Sequence, residues 1–429
     1  MRGPYKPRIL SKEEKQALLA SRWVAHLEAT QKTAVVVGGG PGGLAAAITL
    51  AQMGMKVTVL EARANETGDK PAHARPHQIS LRQDSLETLK TLGAYDDVIA
   101  SAGFVDKEVH IQRNGAQEQI HERVPQGQSQ DHNEPKLLRP TLLHSDSVSQ
   151  VRISDVEKAL LKQAEELGIE IKAGVKAELT KPASGNSYGV SIRDVEKDSD
   201  GGYVPVGEAT DLGTPDLVVV ADGAGSPTRA ALGINVLEES APKNYLGGHI
   251  QMGIGSETRK ATVTEPTGLK RHIMATGHAK YDQTWVSVEI TPEEAKLPAA
   301  ERAKLLADKA AWVMLEDVKT SDIGWGAGQL TTVQNRRAEK VTAGDNVVLL
   351  GDSAGTGSVW VGGGLNLALT THLSVLRSLA TRINMGDDRQ GALKIYDHAV
   401  QWATSVWHQA GAAELGVKDL PSAEAKKSA

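Results

Sequence analysis

Cysteine is absent from the 429-residue chain. This excludes a disulfide framework, a thiolate metal site and a redox dithiol. Aromatic residues are scarce, with one Phe, seven Tyr and seven Trp. A ring-lined pocket would have to draw on a few of these, so composition leans toward an aliphatic or polyketide-like ligand rather than a small phenol. No apolar run reaches the length of a membrane span, and the N-terminus lacks the apolar core of a signal peptide. The expectation is therefore a cytoplasmic protein without a membrane span. A net charge of −5 speaks against nucleic acid or an acidic membrane surface as main partner, which leaves a small molecule. What the chain does have is 40% apolar residues over a length that favours two associated cores.

The most informative stretch is Ala34 to Arg63, AVVVGGGPGGLAAAITLAQMGMKVTVLEAR. Ala34 to Val37 form a short buried strand, and Gly38, Gly40 and Gly43 occupy the G-x-G-x-x-G positions. An Ala/Leu-rich helix follows to about Met53, then a strand from Lys56 to Leu60 that ends at Glu61. Gly38 permits the tight turn, Gly40 lets backbone approach a pyrophosphate, and Gly43 lets helix and strand pack closely. The helix N-terminus points partial positive charge at the phosphates. Glu61 can accept from both hydroxyls of an adenosine ribose. Strand, helix, strand and terminal acid together read as a dinucleotide site.

Residues 1–32 read as a helical extension, with a capping box at Ser11 to Glu14 and an amphipathic helix to about Glu28. After a polar stretch, Leu86, Leu89 and Leu92 share a helical face that Gly93 ends. Residues 113–150 are polar and read as a long loop or insertion within a nucleotide domain covering 33–235. Their histidines, His121, His132 and His144, lack metal-ligand spacing and read as solvated, so no metal site is expected. Ser154 is a candidate N-cap for the next helix. Another strand, Asp216 to Val220, leads into Asp222-Gly223 with Ser226 and Arg229 beyond, a turn that presents polar groups at a sheet's carboxyl edge.

From Val236 to Thr332 the pattern changes to short alternating strands at Gly248–Gly253, Thr262–Glu265, Arg271–Ala275 and Trp285–Ile290, with a helix from about Pro298 to Leu315. This predicts a mainly antiparallel sheet, residues 236–332, inserted in the nucleotide fold as the substrate domain. The nucleotide domain resumes over 333–385. There Val347 to Leu350 lead to Gly351-Asp352, and Gly362 to Gly364 meet Leu365-Asn366 and a helix to about Arg382. Asp352 is placed to accept from a polyol hydroxyl, or else caps a turn. Residues 386–429 give a final helix, about Gln390 to Ala410, and a tail.

Three motifs thus stand in order: Gly38 to Glu61, Asp222-Gly223-x-x-Ser226-x-x-Arg229, and Gly351-Asp352 through Gly362, Gly364 and Asn366. Together they resemble the class A flavoprotein monooxygenases, the family of p-hydroxybenzoate hydroxylase, over most of residues 33–382. Asn335-Arg336-Arg337 also has the look of that family. Residues 77–93 and 152–161 are similar, more narrowly, to the flavin domains of the actin-oxidising MICAL proteins. The resemblance implies an α/β fold: a Rossmann-like FAD-binding domain with an inserted antiparallel substrate sheet. It implies FAD with its pyrophosphate at Gly38, Gly40 and Gly43, its adenosine ribose at Glu61, and Arg63 and Arg152 near the adenosine or phosphates. Asp352 would bind the ribityl chain, backbone around Gly364, Leu365 and Asn366 would approach the isoalloxazine, and Asp222 and Arg229 belong to a motif associated with FAD and NAD(P)H. No second strand–G-x-G-x-x-G–helix unit occurs in the sequence, as in that family, which has no separate nicotinamide domain.

The implied reaction is NAD(P)H-dependent transfer of one oxygen atom from O2 to a small organic substrate, for which His249, Arg271, His272 and Tyr245 in the substrate sheet are candidate polar groups. Two positions depart from the family. Gly355 stands where His is common, and Val359 where Pro is common. They keep two further readings open: a redox-neutral cyclase resembling the FAD-dependent dialkyldecalin synthases, and a flavin reductase of isoprenoid chains.

Overall fold

The computed structural model describes residues 31–63, 78–104, 107–115, 117–123, 149–181, 184–199, 202–278, 281–324, 328–357 and 363–414. The expected N-terminal helix, His132, His144, Val359 and Gly362 lie outside them.

The nucleotide domain is built on a six-stranded sheet ordered Thr342–Ala343, Val347–Leu349, Leu217–Val220, Thr33–Val37, Lys56–Glu61, Glu170–Ala173. All neighbours run parallel except the Thr342–Ala343 edge. The helix Pro41–Gln52 packs on Thr33–Val37, Lys56–Glu61 and Leu217–Val220, and the strand Val175–Thr180 also packs on Lys56–Glu61. The central strands are continuous apolar runs such as Leu217 to Val220, every residue of which is buried. In register, Val37 lies beside both Leu60 and Val220. The residues that follow keep the ladder going: Gly38 N–H donates to Leu60 O (2.8 Å), Ala221 N–H to Val37 O (2.7 Å) and Leu350 N–H to Val220 O (2.9 Å). That register delivers Gly38, Glu61, Asp222 and Gly351 to one carboxyl edge, where open α/β sheets bind ligands.

The second domain is a seven-stranded sheet ordered Gln329–Val333, Lys243–Ile250, Gln283–Ile290, Lys270–His278, Glu257–Thr264, Lys107–Asn114, Gln117–Arg123. Only Glu257–Thr264 and Lys107–Asn114 pair in parallel. The helix Ala299–Met314 packs Leu306, Ala310 and Val313 onto one face, against Leu246, Ile273, Val286 and Val288. Because side chains alternate across a strand, Tyr245, Gly247, His249, Trp285, Thr276 and His278 lie on the opposite face. Burial of Tyr245, His249, Trp285, Thr276 and His278 there, all 5% exposed or less, means that more than the helix covers this sheet.

Three expectations change. Gln117–Arg123, expected as part of a polar loop over 113–150, is a strand of this sheet. Its polar composition suits an edge strand with exposed side chains, whose ladder partner 107–114 comes from the hairpin itself. Ser154 is not an N-cap, because the helix already begins at Ile153 with Arg152 in extended backbone before it. A three-stranded meander of Val175–Thr180, Gly189–Lys197 and Tyr203–Asp211 was also not foreseen. Its alternation is diluted by charged residues on a largely exposed sheet.

Candidate functional site

The phosphate loop is shaped by three glycines with different duties. A Cβ on Gly38 (φ +109°) would lie 2.4 Å from Ala221 O, and one on Gly43 would lie 1.9 Å from Gly38 O. Both are demanded by the fold. A Cβ on Gly40 would meet nothing within 4 Å. This glycine leaves space, and it stands at the N-cap of the helix Pro41–Gln52 with no side chain capping it. The unfilled space and the uncapped dipole end fit a pyrophosphate.

Glu61 is drawn onto this loop. Its Oε2 accepts from Gly39 N–H (2.6 Å) and the Arg63 guanidinium (3.2 Å), and its Oε1 accepts from Arg63 N–H (2.8 Å) and Nε (2.9 Å). Burial opposes ionisation, but Arg63 and the two backbone N–H groups outweigh it and hold the carboxyl below its usual range. These bonds use about all the acceptor sites of a carboxylate, so a ribose diol on Glu61 must displace the Arg63 side chain. Gly39, overlooked in the sequence, packs close to the same carboxylate: a Cβ there would lie 3.0 Å from Oε2.

The Asp222–Arg229 motif works largely within the protein. Arg229 donates to Ala224 O (2.9 Å) and to Ser353 O (2.8 Å), while Ser226 Oγ caps the short helix by accepting from Arg229 N–H (2.9 Å). Asp222 Oδ2 accepts from Thr228 N–H (3.1 Å). Its Oδ1 is buried without a hydrogen-bond partner among the described residues, a position that a ligand donor would satisfy.

At the third motif, Gly351 turns in the left-handed region (φ +65°) and donates its N–H to Nδ1 of the fully buried His372 (2.9 Å). Burial pushes the His372 pKa down to about 4, so the ring is neutral and its Nδ1 is available to accept. His372 closes a π-helical turn, Ala368–His372, of the kind that recurs at functional sites. Asp352 comes beside Gly364, where a Cβ would lie 3.4 Å from Oδ1. Asn366 takes a different part from its neighbours. Its Oδ1 accepts from Arg82 N–H (3.0 Å) and Ser85 Oγ (2.6 Å), and its Nδ2 donates to Ser80 O (2.8 Å). The side chain is thus a latch onto the segment 80–85, and it leaves the backbone of Gly364 and Leu365 as the surface a flat ring could approach.

Arg152 places its guanidinium 3.8 Å from the centre of the Tyr281 ring, at the junction of the two domains. Tyr281 in turn packs on His278, with ring centres 4.4 Å apart. Burial and the charge of Arg152 push the His278 pKa down. Of the four candidate polar groups in the second sheet, Tyr245 and His249 lie on its buried face beside Trp285, whose ring is 5.1 Å from that of His249. Trp285 lies across Gly247, where a Cβ would meet ring atoms at 2.4 Å. Arg271 is on the helix side, tied to Glu265 (2.7 Å) and Glu294 (2.8 Å). His272 is held by Glu289 (2.6 Å), which Lys243 also binds (2.9 Å). Arg271 thus serves the sheet, whereas His272 lies on the same face as Thr276, and its partner Glu289 pairs in register with Tyr245. Trp285 and Gly247 were missed, although the glycine inside a strand pattern was a signal of close approach.

Gly355 is explained by packing. A Cβ there would lie 2.7 Å from Thr404 Cγ2 of the C-terminal helix, Arg389–Glu414, and 2.9 Å from Arg336 O. This chain therefore has no room for the His common in the family. Among the described residues no group of three or more His, Asp or Glu could hold a metal ion, and no helix is long and apolar enough to cross a membrane.

Residues 31–405 match the FAD binding domain family. No curated protein sequence matches the chain. Among solved structures, the p-nitrophenol 4-monooxygenase PnpA of Pseudomonas putida is similar at 18% identity and a TM-score of 0.68, over 92% of each chain. PqsL of P. aeruginosa, solved with 2-aminobenzoylacetate, is similar at 17% identity and 0.65, over 91% of this chain and 97% of its own. A 2-methyl-3-hydroxypyridine-5-carboxylic acid oxygenase is similar at 17% identity and 0.63, over 91% and 94%. These likenesses carry the two-domain fold, and the open phosphate loop and carboxyl-edge acids fit the cofactor. The chain belongs to the FAD-binding family of the class A flavin monooxygenases and is an FAD-dependent oxidoreductase.

Proposed function

We propose that the protein is a single-component, NAD(P)H-dependent monooxygenase that places one oxygen atom from O2 on a small organic molecule. The observation that carries this reading is the buried face of the second sheet, where Tyr245, His249 and Trp285 gather in a chain with few aromatic residues. FAD held in this site would supply the redox chemistry toward nicotinamide and oxygen. The protein's own part is to hold and to exclude water. Gly40 and the helix it opens would hold the pyrophosphate, Asp352 the ribityl chain, and the Gly364–Leu365 backbone the ring. The Tyr245 hydroxyl and the His249 imidazole would orient the polar atoms of a substrate lying against Trp285, away from water.

The ring surfaces on this face favour a compact, planar substrate over the aliphatic chain suggested by composition. The names of the structural relatives, with p-nitrophenol and a hydroxypyridine carboxylic acid, are of that chemical kind. A cytoplasmic location belongs to the same reading.

A specific observation keeps a second reading in view. Gly355, sealed by Thr404, replaces the His common in the family, and a redox-neutral cyclase of a polyketide-type substrate would have no need of that His. One experiment separates the two. The purified yellow protein is mixed with NADH or NADPH, with and without small phenols and pyridines, under isotopically labelled oxygen. Bleaching of the flavin band and label in the product support the monooxygenase. A flavin that neither nicotinamide reduces, with every substrate tried, overturns it in favour of the cyclase.

A further inference from the structure

The C-terminal helix meets the flavin side of the nucleotide domain through one buried histidine. His408 is 1% exposed. Its Nδ1 lies 2.5 Å from Glu239 Oε2 and its Nε2 lies 2.7 Å from the backbone oxygen of Thr356. Each ring nitrogen thus faces an acceptor oxygen, and the ring bridges Glu239 and the Thr356 backbone. Glu239 is fixed from its other oxygen by Arg337 Nε (2.8 Å), and Arg337 also bonds Gln401 of the same helix. Burial disfavours the charge on Glu239, but His408 and Arg337 outweigh it and hold the carboxyl below its usual range.

Thr356 occupies a sensitive place. Its hydroxyl donates to Gln334 O (2.6 Å), so its peptide is gripped from two sides. The next residue, Gly357, packs on the glycine cluster: a Cβ there would lie 3.5 Å from Gly363 Cα and 3.9 Å from Gly364 N. One turn before His408, Thr404 seals Gly355. Beside it, Trp407 packs with Leu367 and Ala403 and lies 5.3 Å from the guanidinium of Arg82, whose N–H is latched by Asn366. One helix face therefore touches both ends of the 355–367 segment. His408 lies just past the family-matched residues 31–405.

We propose that His408, fixed by Glu239, is a positioning residue for the flavin: through the Thr356 carbonyl it sets where Gly363 and Gly364 lie and thus how tightly the ring is held. This rests on FAD binding alone, so its failure leaves the oxygen-transfer reading as it stands, and failure of that reading leaves this one.

The test is the FAD dissociation constant of the deflavinated full-length protein, read by flavin fluorescence, with the shape of the flavin absorption band in the reloaded protein. His408→Leu removes both polar contacts of the ring and should weaken FAD by about tenfold or more and blur the band. His408→Gln can still donate to Thr356 O and should recover to within about threefold of the parent. Trp402→Ser, 61% exposed on the same helix, should bind as the parent does. His408→Leu with parental affinity and band shape overturns the proposal, and so does equal weakening in the Leu and Gln variants, since then the bond to Thr356 is not what matters. If His408→Leu fails to fold, Glu239→Gln carries the test: at least about threefold weakening is expected, and a parental constant overturns the proposal.

Discussion

Arg229 donates to the carbonyl oxygen of Ser353 across 124 residues of sequence, at 2.8 Å and buried. The second motif is thereby fastened to the third, and the two strand ends that carry Asp222 and Asp352 are kept at a fixed separation. Arg229→Ala should leave Ser353 O and Ala224 O without their donor and lower the unfolding free energy by about 2–3 kcal/mol. Urea unfolding of the parent and variant measures this. A loss too small to detect would mean that the motif does not depend on the link.

Two glycines of one loop should fail in opposite ways. At Gly40 an added Cβ meets nothing within 4 Å, while at Gly43 it meets Gly38 O. Gly40→Val should fold and, without flavin, melt near the parent temperature, yet bind FAD at least about a hundredfold more weakly, because pyrophosphate and side chain compete for one space. Gly43→Ala should melt lower with or without flavin. If Gly40→Val still purifies fully yellow, the cradle is misassigned.

Gly355→Ala should destabilise by about 1–3 kcal/mol through overpacking against Thr404 Cγ2 and Arg336 O. Adding Thr404→Ala should restore part of the loss, since it removes one of those two neighbours. The double-variant cycle, measured by thermal unfolding, checks it. Strict additivity of the two substitutions would show that the helix does not press on this strand.

His372 gives a signed pH dependence. Its pKa falls from the ordinary 6.5 to about 4 on burial, so between those values the unfolded chain binds the extra proton. The stability contributed by the neutral ring is present above pH 6.5 and is lost as pH falls toward 4, by about 3 kcal/mol in all. In His372→Asn, whose side-chain oxygen can still accept from Gly351 N–H, that part of the acid sensitivity should vanish. Unfolding free energies at neutral and mildly acid pH, parent against variant, measure the difference. Parallel curves would show that His372 does not titrate between the two states.

A fifth expectation concerns the buried sheet face. Gly247→Ala should push the Trp285 ring off the sheet, because ring atoms lie 2.4 Å from the position of the added carbon. Trp fluorescence should shift, and substrate KM should change more than FAD affinity. An unchanged emission spectrum would show that the ring does not rest on Gly247.

Much was settled by the sequence alone wherever the physics is local. A buried parallel strand must be a short apolar run, a tight turn under it must be glycine, and an acid at the next strand's end must face that turn. Ala34 to Glu61 therefore announced the nucleotide fold, as Asp216 to Arg229 and Val347 to Asn366 announced its other two edge motifs. The antiparallel domain and the helix at 299–314 were legible from alternation and helical spacing. Tertiary structure decided what those residues do to one another. Arg229 proved to be a fastener, Asn366 a latch onto Ser80, Arg82 and Ser85, and Arg271 an ion-pair anchor. The bonds of Arg229 to Ser353 and of Asn366 to residues 80–85 join segments far apart in sequence, and no local pattern fixes which distant carbonyl a guanidinium will reach. The strand at Gln117–Arg123 escaped notice because an exposed edge strand needs no apolar alternation. Gly355, conspicuous in sequence as a missing His, acquired its reason only when the last helix folded back and set Thr404 against it. That contact depends on packing between elements and could not be read from either one alone.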